Sequence, residues 1–288
     1  MTPLEKAKLS LLGVATGDAF GQRMFGIGME VFHMAKTIPG GDWYWTDDTA
    51  MAISIYEILR DYNEINQDVL ANTFAERYRK DVFRGYGTGA HLMLQKISEG
   101  EDWRELAPSL FNGNGSYGNG AAMRIAPLGA YFYKDLELVR AEAVKSAEIT
   151  HSHPEGQAGA VALAVAAALA ASGKNWERID FIKQVEDLTP DSDVRAKITI
   201  SKSIDADNLE LAVDVLGTGM DISAQDTVPF CVWCAANNLH DFEAAMWQTV
   251  SGFGDQDTTC AMVGGIVALS VGSIPEKFLE HVEPLPEL

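Results

Sequence analysis

Basic residues are scarce in this sequence. The 288-residue chain carries 22 Lys and Arg against 41 Asp and Glu, a formal net charge of −19. Affinity for nucleic acid is dominated by cationic contacts to phosphate, so this balance argues against general nucleic-acid binding. It leaves room for an anionic ligand in one pocket, because bound metal ions reverse the local field. Cysteine is scarcer still, with only Cys231, Cys234 and Cys260. So sparse and odd a set is no disulfide framework and points to a reducing compartment. Cys231 and Cys234 have CxxC spacing, yet the two further soft ligands of a zinc site are missing nearby. In the apolar stretch Val228–Asn237 they read as buried helix cysteines. Runs of bilayer length are lacking too. The longest apolar run, Ala158–Ala171, has about fourteen residues where a span needs about twenty. Its alanines suit a helix enclosed by close neighbours. The chain opens on no secretory signal. Thr2-Pro3-Leu4-Glu5 has a capping Thr, a Pro for the first helical position and a Glu to close a capping box. These absences together predict a cytoplasmic protein that does not associate with membranes.

Alternating strand patterns are missing as well, and helical periodicity fills the chain. It predicts helices over Pro3–Phe20, Thr46–Tyr62, Gln67–Lys80, Thr88–Ser98, Asn119–Tyr133, Asp135–Ile149 and Glu155–Ser172. More follow over Trp176–Leu188, Asp193–Ser203, Leu209–Leu216, Pro229–Asn237, Asp241–Ser251, Thr258–Val271 and Pro275–His281. Gly, Asn, Asp and Pro gather in Gly26–Trp45, Asn112–Gly118, Thr189–Asp193 and Gly217–Thr227, which read as loops. None is an interdomain linker, and no fixed repeat recurs. The expectation is an all-α fold in one compact domain spanning residues 1–288.

Two acidic clusters stand at predicted helix starts. In Trp45-Thr46-Asp47-Asp48-Thr49, the Thr and Asp residues suit helix caps and the positive end of a helix dipole, and alone they read as that. In Gly254-Asp255-Gln256-Asp257-Thr258, Asp257 or Thr258 is again an N-cap candidate. The helix that follows, however, is apolar through Leu269, so these carboxylates sit at the mouth of a buried element. Burying them without a partner is expensive. A shared cation site relieves both clusters: four carboxylates balance two divalent ions. Oxygen ligands without His or Cys indicate Mg²⁺, with Mn²⁺ or Ca²⁺ as alternatives, and threonine hydroxyls complete such a shell.

A third segment, Asn114–Arg124, is rich in small residues that let backbone N–H groups approach a ligand before a helix start. A plain loop is the other reading. His151 and His153 fall in an interhelix loop, where a hydrogen-bonding role beside a ligand or simple loop structure fits better than metal ligation.

Taken together the motifs identify a resemblance. Gly17-Asp18-Ala19-Phe20-Gly21 resembles the opening GDxxG motif of the ADP-ribosylglycohydrolases, the family of dinitrogenase reductase-activating glycohydrolase. Trp45–Thr49 is similar to its W-[ST]-D-D-T motif, Gly118–Arg124 to its GNGxAMR motif, Thr150-His151 to its TH pair and Gly254–Thr258 to its closing GDxDT motif. The order and approximate spacing agree over nearly the whole chain. This resemblance implies a compact orthogonal bundle of many helices around a central two-metal site. It implies two Mg²⁺, with Mn²⁺ possible, on Thr46, Asp47, Asp48, Asp255, Asp257 and Thr258. It also implies an ADP-ribose pocket lined by Gly118, Asn119, Gly120 and Met123, with His151 nearby. The reaction implied is hydrolysis at the anomeric carbon of the distal ribose of an ADP-ribosylated protein, nucleic acid or small conjugate.

One departure bears on catalysis. Phe25 stands where many members carry a glutamate, and the next acid is Glu30. Either Glu30 serves in its place or Asp47, Asp48 or a metal-bound water carries the proton chemistry. A catalytically silent protein that binds ADP-ribose or a nucleotide is therefore one alternative. A two-metal nucleotide phosphohydrolase is another, and the GNGxAMR turn speaks against it. Asp81 and Arg84, beside the Phe83–Gly89 loop, are candidates to touch the leaving group.

Overall fold

The computed structural model describes residues 1–26 and 28–288, with only the backbone of residue 30. Among the described residues there are seventeen helices and no sheet. The chain opens as its first residues predict. Helix α1 (Pro3–Met24) starts with a capping box, in which Glu5 N donates to Thr2 Oγ1 at 3.2 Å and Thr2 N donates to Glu5 Oε2 at 2.6 Å. Then come α2 (Glu30–Ala35), α3 (Asp47–Tyr62), α4 (Gln67–Lys80), α5 (Thr88–Ser98) and α6 (Trp103–Gly113). The central stretch holds α7 (Gly120–Met123), α8 (Ala126–Tyr131), α9 (Leu136–Glu148) and α10 (Pro154–Ala171). The last part holds α11 (Arg178–Leu188), α12 (Asp193–Ser201), α13 (Leu209–Leu216), α14 (Ala224–Asn237), α15 (Phe242–Val250), α16 (Gln256–Val271) and α17 (Glu276–Leu279).

Helices α1 and α16 approach each other closely. Gly13, Gly17 and Gly21 recur every four residues and so share one face of α1. A methyl group on any of them would overlap the α16 backbone: Gly264 for Gly13, Cys260 for Gly17 and Gln256 for Gly21. The order of these partners shows that the two helices run antiparallel. Gly264 answers from α16, where a methyl would overlap the carbonyl of Gly13. Main chain therefore rests on main chain over two turns, and Asp18 is brought beside the first turn of α16.

The alanine-rich α10 packs among α7, α8, α9, α14 and α16. By length and composition alone it passes for a membrane span, but 83% of it is buried inside the structure. One contiguous hydrophobic cluster extends from Ala7 to Phe278.

Four elements differ most from the sequence expectation, and one is α14, which starts at Ala224 inside the expected Gly217–Thr227 loop rather than at Pro229, because Pro229 is carried within the helix instead of opening it. The predicted helix over Asn119–Tyr133 is divided into α7 and α8. Pro127 lies within the interval, and a continuous helix would need the N–H it lacks. Helix α2 lies inside the expected Gly26–Trp45 loop and ends on Lys36 in the left-handed region, at φ 47°. Helix α6 was not foreseen. Its N-cap Asp102 accepts from Arg104 N at 2.9 Å, and Trp103 Nε1 donates to Asp68 at 3.0 Å, a tertiary contact with no local signature. It is bent at Leu110–Asn112, where Phe111 and Asn112 have φ of 51° and 61°.

A Gly17→Ala substitution tests the interlock. With only backbone to yield, overpacking should cost about 3 kcal/mol or more. Thermal melting should show a drop in Tm of roughly 6 °C or more. Gly40→Ala, where a methyl meets nothing within 4 Å, serves as the control and should melt like the parent.

Candidate metal centre

The first turns of α3 and α16 meet over α1, and each brings its acidic cluster. Thr46 precedes α3 but caps nothing with its own side chain. The cap comes from another helix. Asp18 accepts from Thr46 N at 3.0 and 2.9 Å, from Thr46 Oγ1 at 2.9 Å, from Thr49 N at 3.0 Å and from Thr49 Oγ1 at 2.5 Å. Burial pushes the Asp18 carboxyl up to about 6, against the pull of these donors.

Asp48 lies beside it, fully buried. Its Oδ2 is 3.0 Å from Thr46 Oγ1 and 3.4 Å from Thr258 Oγ1. Thr46 has one hydroxyl hydrogen for two carboxylates, Asp18 and Asp48, so it can satisfy only one. Oδ1 of Asp48 is buried and has no hydrogen-bond partner among the described residues. Asp255, the residue before α16, is anchored by its N–H donating to Thr218 O at 3.1 Å. Its Oδ2 accepts from Asn119 Nδ2 at 2.8 Å, and the same amide reaches Thr227 Oγ1 at 3.2 Å.

The electrostatics are one-sided. Burial, then the neighbouring negative charges, hold Asp47 and Asp48 well above the usual carboxylate range. Burial raises Asp257 too, and burial with the charge of Asp257 lifts Asp255 to about 7. None of the ion pairs among the described residues engages these five acids. Two helix N-termini offer roughly +0.5 charge each, far short of what five carboxylates need. Oxygens of Asp18, Asp48 and Asp257 lie within 4.8 Å of one another, close enough to share one cation. The all-oxygen donor set and the orphaned Asp48 Oδ1 fit a hard divalent ion.

A cavity of about 440 Å³ opens beside the cluster. Asp47, Asp255, Asp257 and Thr258 reach its surface, while Thr46, Asp48 and Asp18 do not line it. The residues expected to line an ADP-ribose pocket lie on its wall: Gly118, Asn119, Gly120, Met123 and His151. The turn is fastened to the loop before α14, with Asn119 N donating to Ile222 O at 3.1 Å and Ala224 N to Tyr117 O at 2.9 Å. Phe111, Tyr117 and Ile222 continue the wall, the two rings 6.2 Å apart between centroids. Phe111 and Ile222 have φ of 51° and 55°, an unfavourable region for a bulky side chain.

The two histidines separate. His151 is half-buried on the cavity wall, and burial followed by the charge of Arg124 lowers its pKa to about 3. His153 is the N-cap of α10, its Nδ1 accepting from Glu155 N at 3.1 Å, so it is loop structure. Arg84 is held by four hydrogen bonds: it donates to Asp81 at 2.8 Å, to Trp45 O at 2.9 Å and to Glu283 at 2.6 and 2.8 Å. Asp81 and Arg84 line a second cavity of about 300 Å³ with Trp45 and Glu283, and neither lines the cavity beside the acidic cluster. Phe25 is 41% exposed and is not part of the main cavity wall. Glu30 begins α2, and its side chain lies outside the described residues. Sequence reasoning missed Asp18 and Arg124 as site residues. The signal for Asp18 was a lone acid between Gly17 and Gly21 on a helix of small and apolar residues.

An ADP-ribosylglycohydrolase family model matches residues 1–288. The ADP-ribosylhydrolase ARH3 of Homo sapiens is 31% identical over 279 residues, covering 85% of this chain and 76% of its own. The ADP-ribosylarginine hydrolase Tri1 of Pseudomonas putida (strain GB-1) is 25% identical over 295 residues, covering 97% and 74%. In fold, the chain is similar to a solved chain of an "ADP-ribosylglycohydrolase-related protein complex", with a TM-score of 0.71 at 23% identity over 98% of this chain and 93% of that one. The family model's match takes in the acidic clusters and the glycine turn alike, and with the 31% identity to the human relative it shows that the chain belongs to the ADP-ribosylglycohydrolase family.

Proposed function

We propose that this protein hydrolyses the bond between the distal ribose of ADP-ribose and an attached side chain, base or small group. Two divalent cations, Mg²⁺ first and Mn²⁺ second, would be held by Thr46, Asp47, Asp48, Asp255, Asp257 and Thr258. The observation that carries the reading is that one cavity is walled by both the carboxylates and the Gly118–Gly120 turn. Its volume of about 440 Å³ is within the usual range for a small-molecule site. The Phe111 and Tyr117 rings offer flat faces suited to a base. The buried cluster from Ala7 to Phe278 supports reading residues 1–288 as one domain.

Within that reading the acids divide their work. Both oxygens of Asp18 are already occupied by N–H and O–H donors, so Asp18 orients Thr46 and Thr49. Asp48, buried below the cavity, holds a cation through its unpartnered Oδ1. Asp47 reaches the cavity itself and is the acid placed to accept a proton from an attacking water. When bound, the cations supply Lewis-acid polarisation and lower the pKa of a coordinated water.

The pKa shifts give metal dependence a pH signature. A carboxyl raised by folding contributes stability that is fully present below its unfolded value and lost as pH rises through its folded value. For Asp255 that window runs from 3.8 to about 7. Metal-free protein in chelator should therefore melt at a lower temperature at pH 8 than at pH 5.5. Saturating Mg²⁺, at about 100 times its Kd, should restore roughly 5–10 °C, with the larger gain at pH 8. A Tm indifferent to Mg²⁺ at both pH values would count against a metal site.

Turnover is tested by incubating the Mg²⁺-loaded protein with ADP-ribosylated arginine, serine and nucleobase and measuring free ADP-ribose. Release from at least one is expected. Asp257→Asn should reduce it by about 100-fold or more, the scale of losing a principal charge-stabilising group. Tight ADP-ribose binding without release from any conjugate would favour a silent binding protein. Phosphate release from nucleotides would favour a phosphohydrolase.

A further inference from the structure

Arg124 and Thr150 lie behind His151 in a chain of hydrogen bonds. Arg124 is fully buried, its guanidinium 4.5 Å from the centre of the Phe74 ring. Its Nη2 donates to Ser146 O at 2.9 Å and to Thr150 Oγ1 at 2.8 Å. Thr150 Oγ1 in turn is 2.7 Å from His151 Nδ1. A guanidinium has hydrogens only to give, so the Thr150 oxygen accepts from Arg124. Its one hydrogen then has a single described acceptor within reach, Nδ1 of His151. A neutral imidazole that accepts at Nδ1 carries its hydrogen on Nε2.

The position of the ring follows from its neighbours. A Cβ on Gly120 would lie 3.1 Å from Cε1 and 3.2 Å from Nε2, one on Gly118 would lie 3.3 Å from Nε2, and one on Gly156 would lie 3.1 Å from the His151 Cβ. The Nε2 edge thus rests against Gly118 and Gly120, on the cavity wall, with no hydrogen-bond partner among the described residues. His151 N donates to Ala147 O at 2.7 Å and fixes the backbone beneath.

We infer that Arg124 and Thr150 are positioning residues that lock His151 as the Nε2–H tautomer, so that it gives a neutral hydrogen bond to a phosphate or ribose oxygen of a ligand on the Gly118–Gly120 turn. The low His151 pKa agrees with a ring that stays uncharged. A ring in this state has no lone pair on Nε2, so His151 is neither a metal ligand nor a general base. The identity of the acceptor rests on the function proposed above, whereas the tautomer does not.

The test is ¹⁵N NMR of the histidine side chains in the full-length protein, with His151 assigned through the signals lost in His151→Asn. At neutral pH the free protein should show a hydrogen on Nε2 and none on Nδ1. Thr150→Val should convert this to a mixture of tautomers and weaken ADP-ribose binding by about fivefold to tenfold, the scale of one net hydrogen bond. Thr150→Ser, which keeps the hydroxyl, should restore both the tautomer and the affinity to within about twofold, since the same hydrogen bond is made. A hydrogen on Nδ1 in the parent overturns the inference, as does a folded Thr150→Val with unchanged tautomer and affinity. The Nε2–H tautomer in a protein that does not bind ADP-ribose supports the relay and overturns the proposed function instead.

Discussion

Helices α1 and α16 approach until main chain touches main chain, because Gly13, Gly17, Gly21 and Gly264 present no side chains at the contact. The acidic site depends on this approach. It puts Asp18, from the middle of one helix, against the first turn of another. There Asp18 caps α3, with donors from Thr46 and Thr49. A side chain at Gly17 or Gly21 would separate α1 from α16, and the three acidic segments would lose their common meeting point.

Bringing carboxylates together in this way works against folding unless something answers the charge. Helix dipoles and threonine hydroxyls answer part of it. The rest appears as raised pKa values on Asp18, Asp47, Asp48, Asp255 and Asp257 and as an Asp48 oxygen without a partner. The ligand wall is tied to this charge by Asn119, whose backbone N–H holds the 222 carbonyl and whose side chain holds Asp255. The carboxylate floor and the glycine turn are thus two parts of one hydrogen-bonded unit. Their spacing is set by these hydrogen bonds.

Much of this was legible in the sequence. Asp47, Asp48, Asp255 and Asp257 announce themselves as paired acids at helix starts. Gly118–Arg124 stands out as a turn of small residues, and it and His151 come together on one cavity wall. Long helices such as α3, α4, α5 and α10 follow from periodicity within a residue or two at each end. What escaped depends on tertiary partners. Asp18 reads as an oddity of an apolar helix until α3 is seen to need a cap. Arg124 reads as a helix residue until Pro127 is taken as the break that lets the chain turn there. The α6 start depends on Trp103 meeting Asp68 from another helix, which no local pattern encodes.

The central claim, that these carboxylates form a two-cation site at the cavity floor, is tested most directly by anomalous diffraction from crystals grown with Mn²⁺. The account predicts two anomalous peaks among Asp47, Asp48, Asp255 and Asp257, with Asp48 Oδ1 in a coordination shell. Absence of peaks at saturating Mn²⁺, or peaks confined to acids on the outer surface, would contradict it.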